Sequence, residues 1–361
     1  MTYKLKLSVS LALFLFFFCS TTTAQDLSDA IEWTGTIELE EQMEGEDGVY
    51  TMWPVPRIDP EGGFLVIDAP EHQARLYDES GRLKHYFGRA GQGPGEFQRP
   101  VSALRESSGN ILVADAQGTV QRFDPTGTFL ERTERILNGI YQLHSLSGES
   151  ALLAVGTQEG LVPGQHPLLH RVDMTSERVV ESFFPHPIAL GSHENVLFGL
   201  GDPAAADVYE GQIVAAFAPV DRLYFFDLEG TEVDSLSLPS EHFRRIEKPD
   251  FEDPSDRRRH TQHIEEHSTT FSRIDSVFWL NEDILLVSYF DLLERDPWTV
   301  KYNVMAVARS GELLFDVADA PRLLTVNPNS QELIFSDPDY EVENRWRVGQ
   351  IRNAVLDEHG L

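Results

Sequence analysis

A single pattern of residues occurs twice between positions 62 and 127, and the interval between the copies limits what the chain can fold into. The first copy is Gly62-Gly63-Phe64-Leu65-Val66-Ile67-Asp68-Ala69, followed by Tyr77-Asp78-Glu79-Ser80-Gly81. The second is Gly109-Asn110-Ile111-Leu112-Val113-Ala114-Asp115-Ala116, followed by Phe123-Asp124-Pro125-Thr126-Gly127. Asp68 and Asp115 lie 47 positions apart, and Gly81 and Gly127 lie 46 apart. A period of about 40 to 50 residues, with several short strands and glycine turns per unit, is the sequence form of β-propeller blades. The copies are joined by a glycine-rich stretch, Phe87 to Pro100, reading F-G-R-A-G-Q-G-P-G-E-F-Q-R-P.

The rest of the chain divides in the same way. Residues 52–88 and 101–132 form the first two units, and 140–146, 150–157, 168–173 and 179–184 read as four strands of a third. The fourth holds 212–217, 222–227 and 232–238, and restates the hairpin as Phe226-Asp227-Leu228-Glu229-Gly230. A fifth follows at 273–279, 283–289, 302–309 and 312–317. The last set, 322–326, 332–336 and 345–352, is one strand short. The missing strand is predicted at 31–39, where Ile31, Trp33, Ile37 and Leu39 alternate onto one face. Pairing it with the C-terminal strands closes the ring and removes an exposed edge. A polar insertion at 240–272, helical over about 256–267, lies between the fourth and fifth units. The remaining residues, about 305, give about 51 per blade for six blades or about 44 for seven. Six fits the strand sets better, and seven is the alternative. The expected fold is therefore all-β, a six-bladed β-propeller in a single domain over 25–361.

Residues 1–24 read as a secretory signal peptide: Lys4 and Lys6, an apolar run over 7–18, then small residues up to Ala24. The run is shorter than the about 20 residues a spanning helix needs, and no later stretch is apolar enough to span. Export to the periplasm or outside the cell is expected. A lipid anchor at Cys19 is the alternative, opposed by the bulky Phe17 and Phe18 just before it. Cleavage after Ala24 removes the only cysteine, so the mature chain has no disulfide and relies on core burial and sheet closure. The formal net charge of −30 becomes more negative by two once Lys4 and Lys6 leave. Such a field repels nucleic acid and anionic lipid.

The segment G-x-G-P-G-E-F-x-x-P, followed by G-N-I-L-V-A-D and Q-R-F-D-x-x-G, resembles the NHL repeat and the wider group of secreted six-bladed β-propellers. The resemblance covers 57–132 closely and the remainder by echo. Propellers of this kind include ligand-binding modules, interaction modules and a minority of enzymes, so the resemblance does not choose among them; blade repetition without a catalytic signature points to an exported non-catalytic module that binds a protein, peptide or glycan at one mouth of its channel. The alternative is a metal-dependent lactonase or lyase with its metal in the channel, although the ligand sets of those enzymes do not map residue by residue onto this chain.

Gly88, Gly91, Gly93 and Gly95 invite a phosphate-cradling reading, but Pro94 lacks an N–H, no Lys-Ser or Lys-Thr follows, and a strand rather than a helix comes next. A structural connection is expected, with Arg89, Gln92, Glu96 and Arg99 as ligand-binding candidates at one channel mouth. Asp68 and Asp115, at equivalent repeat positions, are candidate calcium ligands, against the plainer reading that they end strands in self-bonded turns. His260, His263 and His267, spaced i, i+3, i+7, are candidate zinc ligands, against a solvated rim helix. No hydrolase signature such as Gly-x-Ser-x-Gly is present. A monomer without a required cofactor, more a binder than an enzyme, is expected.

Only five lysines occur, at 4, 6, 84, 248 and 301, against 59 acidic residues, which suits a salt-adapted protein as well as an ordinary acidic one. Self-repulsion in the compact state is screened as the Debye length falls from about 10 Å at 0.1 M to about 3 Å at 1 M. The midpoint of thermal unfolding is expected to rise over that range, equally in sodium and potassium chloride and beyond what a neutral osmolyte produces. A flat or falling midpoint removes the salt-adapted reading.

Overall fold

The computed structural model describes residues 26–40, 56–146, 151–157, 167–185, 205–245, 268–295, 298–337 and 344–361. Six four-stranded antiparallel sheets are arranged as a six-bladed β-propeller. Blade 1 consists of Arg57–Ile58, Phe64–Asp68, Gln73–Tyr77 and Leu83–Phe87, and blade 2 of Pro100–Arg105, Ile111–Asp115, Thr119–Phe123 and Phe129–Arg132. Blade 3 holds Gly139–Ser145, Ala151–Thr157, Pro167–Asp173 and Arg178–Pro185; blade 4 holds Ala205–Tyr209, Gln212–Ala216, Arg222–Asp227 and Glu232–Ser237. Blade 5 is Ser272–Trp279, Ile284–Arg295, Trp298–Ala308 and Leu313–Ala318. Blade 6 takes Leu323–Asn327, Glu332–Ser336 and Arg345–Ile351 from the end of the chain and Ile31–Glu38 from its start. The first strand of each blade adjoins the next blade around the ring, and blade 6 meets blade 1, so the ring closes with six and leaves no place for a seventh.

The continuous apolar runs of the second strands follow from burial on both faces. Alternate side chains enter opposite seams: Leu65 and Ile67 pack between blades 1 and 2, Phe64 and Val66 between blades 6 and 1. Ile111 and Val113 join the first of these seams, Leu112 and Ala114 the seam between blades 2 and 3. The buried hydrophobic residues accordingly fall into six clusters, one per seam.

The repeated F/Y-D-x-x-G turn joins the third and outer strands, and each of its fixed residues has a task. The Asp78 carboxylate accepts from the N–H groups of Ser80 and Arg82, Asp124 from those of Thr126 and Thr128, and Asp227 from that of Thr231. These bonds hold Asp78 and Asp124 below the usual carboxylate pKa, the hydroxyls of Ser80 and Thr126 contributing most. The glycine sits at positive φ against the end of the preceding blade's outer strand: Gly127, at φ 83°, would place a Cβ 2.8 Å from Phe87. Just past each turn the outer strand bulges by one residue, which twists the blade's open edge.

The N-terminal strand does close blade 6, pairing Ile31 with Ile351 and Glu38 with Arg345. Its four apolar side chains, expected on one face, are divided between two. A bulge between Trp33 and Gly35 reverses the alternation, so Ile31 and Trp33 pack into the seam of blades 5 and 6 while Ile37 and Leu39 enter that of blades 6 and 1. Two further differences from the sequence reading concern strands. The inner strand of blade 4, Ala205–Tyr209, was not expected, and the central hairpin of blade 5 is longer than its repeat equivalents. The leader with Cys19, and residues 256–267 of the insertion, lie outside the described residues. The described ends of the insertion are clamped together. The Arg244 N–H donates to Ser272 Oγ at 2.9 Å, and Asp291 accepts from both side chains, at 2.9 Å from Arg244 and 2.6 Å from Ser272. Among the described residues no helix is long and apolar enough to cross a membrane.

Deleting residues 26–39 is expected to leave the strand Arg345–Ile351 as an open edge and to thin two seams, giving aggregation in light scattering. Unchanged monodispersity and thermal stability would contradict this closure. Trp346, fully buried and edge-on to Phe64 at 5.2 Å, tests the same seam: Trp346→Ala should cost about 3 to 5 kcal/mol.

Candidate functional site

The connector between blades 1 and 2 is preformed by its own bonds. Glu96 folds back on the loop, accepting from the N–H groups of Gly93 at 2.8 Å and Gln92 at 3.1 Å and from Arg89 Nε at 2.9 Å. The Gly93 N–H, then Arg89, hold the Glu96 carboxyl below the usual range. A Cβ on Gly91, at φ 153°, would fall 2.1 Å from the Glu96 carboxylate, so the tight return requires glycine. Phe97 anchors the loop in the seam of blades 1 and 2. Buried Gln121 pins it to blade 2, its Oε1 accepting from the Gly95 N–H at 3.0 Å and its Nε2 donating to the Glu96 carbonyl at 2.7 Å.

Between this connector and the next, residues 133–138, lies a groove of about 180 Å³. The turn between the second and third strands of blade 2 contributes Asp115, Gln117 and Thr119 to its lining. Both connectors lead into inner strands, Pro100–Arg105 and Gly139–Ser145, so the groove opens beside the channel mouth. Of the sequence candidates, Gln92, Glu96 and Asp115 line it. Arg89 holds Glu96 and is otherwise exposed. Arg99 gives its backbone N–H to Asp115 at 3.0 Å, and its side chain is exposed at the start of the inner strand. The groove also takes in Gln98, Gln117, Thr119 and Arg135, which sequence reading did not single out. Among the described residues, the side chains of these four and of Gln92 make no hydrogen bond or ion pair.

The two repeat-equivalent aspartates are committed elsewhere. Asp115 accepts from the N–H groups of Gln98 at 2.8 Å and Gln117 at 3.1 Å as well as Arg99. Asp68 is buried against Arg75 at 2.7 Å and accepts from the Glu71 N–H at 3.2 Å. Burial raises its pKa against the pull of Arg75. Among the described residues no group of three His, Cys, Asp or Glu side chains could hold a metal ion. His260, His263 and His267 lie outside the described residues.

A second polar constellation crosses the channel itself. Arg57 of blade 1 reaches His144 of blade 3, its two terminal nitrogens 3.3 and 3.2 Å from the ring nitrogens. These blades are not neighbours, so the contact passes through the central space. Asp207 of blade 4 lies 3.6 Å from His144 Nδ1, too long for a hydrogen bond, and accepts from the Trp279 N–H at 3.0 Å. Gln142 accepts from the Ala206 N–H at 3.3 Å. Burial, then the Arg57 charge, pushes the His144 pKa down to about 4, so the imidazole is neutral near pH 7. A neutral ring has one acceptor nitrogen, and only one of the Arg57 contacts is a hydrogen bond. Burial lowers the Arg57 pKa, with Asp207 opposing.

No family model matches the sequence, and no curated protein matches it. Among solved structures, the chain is similar to a member of the DUF4221 family from Bacteroides vulgatus. The TM-score is 0.62 and the identity 12%, covering 89% of this chain and 97% of that one. It is also similar to a candidate exported protein from Bacteroides fragilis, with TM-score 0.58 and 11% identity over 91% of this chain and 98% of that one. At such identities the similarity extends to the fold.

His144 sets a pH dependence. Its folded pKa, about 4, lies below the unfolded value of about 6.5, so the unfolded chain takes up the proton first. Its contribution, on the order of 3 kcal/mol, is complete above about pH 6.5 and is lost as the pH falls to about 4. His170, buried and bonded to Ser182 at 2.9 Å, also has its pKa pushed down to about 4 and adds a similar loss. Thermal unfolding midpoints of His144→Gln and His170→Gln should each fall less steeply between pH 6.5 and 4 than those of the unaltered protein. An unchanged slope would contradict the assignment.

Proposed function

We propose that the protein is an exported, non-catalytic, monomeric propeller that binds a protein, peptide or glycan ligand in the groove at one mouth of its channel. The reading rests on one contrast between side chains. Gln92, Gln98, Gln117, Thr119 and Arg135 surround the groove with uncommitted donors and acceptors, while Glu96 and Asp115 spend their oxygens on the protein's own N–H groups. Uncommitted amides and hydroxyls recognise a ligand; carboxylates turned into backbone bonds are poorly placed to act as bases or to ligate metal. Below the groove, the contact from Arg57 to His144 fills part of the channel where a metal-dependent lactonase or lyase would hold its ion.

A thermal-shift screen of the purified protein against soluble oligosaccharides and peptides tests the reading. Compounds that raise the midpoint should lose that effect with the double variant Gln98→Ala/Gln117→Ala. Hits that survive the double variant would place binding elsewhere and overturn the assignment. Stoichiometric calcium or zinc in the purified protein would overturn the non-catalytic half and favour the metal-dependent enzyme.

A further inference from the structure

The groove presents two arginines, Arg132 and Arg135, that make no side-chain ion pair among the described residues. In a chain of formal charge −30, several described arginines are held by carboxylates: Arg75 by Asp68, Arg105 by Asp59, Arg322 by Asp275. In the lining of the groove two arginines, Arg132 and Arg135, match two carboxylates, Glu96 and Asp115, but are not paired with them. Arg99 and Arg135 make no side-chain ion pair among the described residues, and Arg132 donates to a backbone carbonyl, that of Gln92, at 2.6 Å. Arg89 makes a fourth cation on the same connectors, held by Glu96. Of the acidic residues beside them, Glu96 is bonded to Arg89 and two N–H groups, Asp115 to three N–H groups, and Glu131 shares Arg122 with Glu106. Glu134 on the second connector has no side-chain partner among the described residues, and the Glu177 carboxylate of blade 3 accepts from the Glu134 N–H at 3.3 Å.

From this geometry we infer that the groove takes an anionic sugar. The inference rests on the binding reading above and names its ligand class. Three features of the groove lead to it. Arg132 and Arg135 in the lining, with the exposed Arg99 next in sequence to the lining residue Gln98, offer guanidinium donors to a carboxylate or sulfate, for which the planar fork is suited. The amides of Gln92, Gln98 and Gln117 each pair a donor with an acceptor, matching hydroxyl groups that need both. No residue lining the groove has an apolar side chain, whereas the centre of a peptide or protein interface is apolar and rich in aromatic residues. The volume, about 180 Å³, equals the space of about six water molecules. It has room for about one sugar ring and is below the 300 Å³ at which drug-sized pockets begin.

Calorimetric titration of the full protein uses four probes of matched length: an oligogalacturonate, a sulfated oligosaccharide, a neutral oligosaccharide and an oligoglutamate peptide. Either acidic sugar should bind at least about tenfold more tightly than the neutral one, and Arg135→Ala or Arg99→Ala should weaken it by about tenfold. Raising sodium chloride from 0.05 to about 0.5 M should shrink that difference, because the side chains are exposed. An acidic sugar that keeps its affinity in both arginine variants overturns the inference, as does failure of both acidic sugars to bind. If the neutral sugar or the peptide binds as well as the acidic sugars and Gln98→Ala/Gln117→Ala abolishes that binding, the groove reading stands and the anionic assignment fails. If no probe responds to the groove variants, both fail.

Discussion

Every blade of this protein is a sheet with two apolar faces, and that condition governs the rest of the fold. A sheet buried on one side can end a structure; a sheet buried on both needs a neighbour on each side, and a row of such sheets has no end until it meets itself. Six seam clusters, each shared by two blades, meet the condition around the ring. The N-terminal strand is under the strongest constraint, because it must serve the seam on either side of blade 6 and complete its sheet. The bulge after Trp33 lets one short strand do both, by turning Ile31 and Trp33 one way and Ile37 and Leu39 the other.

The same condition explains which parts of the fold were legible in the sequence. Phe64 to Asp68 and Ile111 to Asp115 stand out as apolar runs because both of their faces are buried. The aspartate and glycine of the hairpin turn recur because each blade repeats the same two needs: an acceptor for the turn's N–H groups and a residue without a Cβ where the preceding blade presses in. Ala205–Tyr209 escaped notice because it is short, begins with two alanines and carries Asp207 at its centre, so it presents no apolar run. The alternation of residues 31–39 was legible, but the face switch was not, since a bulge is set by the partner strand and leaves little trace in local sequence.

The candidate site divides along similar lines. Arg89, Gln92, Glu96 and Arg99 could be singled out because they lie in one glycine-rich stretch, whose glycines mark a sharply turning loop. Gln117, Thr119 and Arg135 come from the neighbouring turn and the next connector, and only the stacking of strands in blade 2 brings them beside that loop. The contact from Arg57 to His144 is still less legible. Its residues are single polar positions on three inner strands, brought together by the curvature of the ring rather than by any spacing in the chain.

The joint in blade 6 also orders events in time. Thr34 and Val348, bonded across it, are 314 positions apart, and the first of them leaves the ribosome before blades 1 to 5 have been made. Blades 1 to 5 are each contiguous and can assemble hairpin by hairpin during synthesis, whereas blade 6 must wait for residues at both ends of the chain. Until then the apolar outer faces of blades 1 and 5 stand uncovered. Such long-range closure is slow relative to local pairing, and the nascent protein remains an incomplete arc until its last strand has been translated.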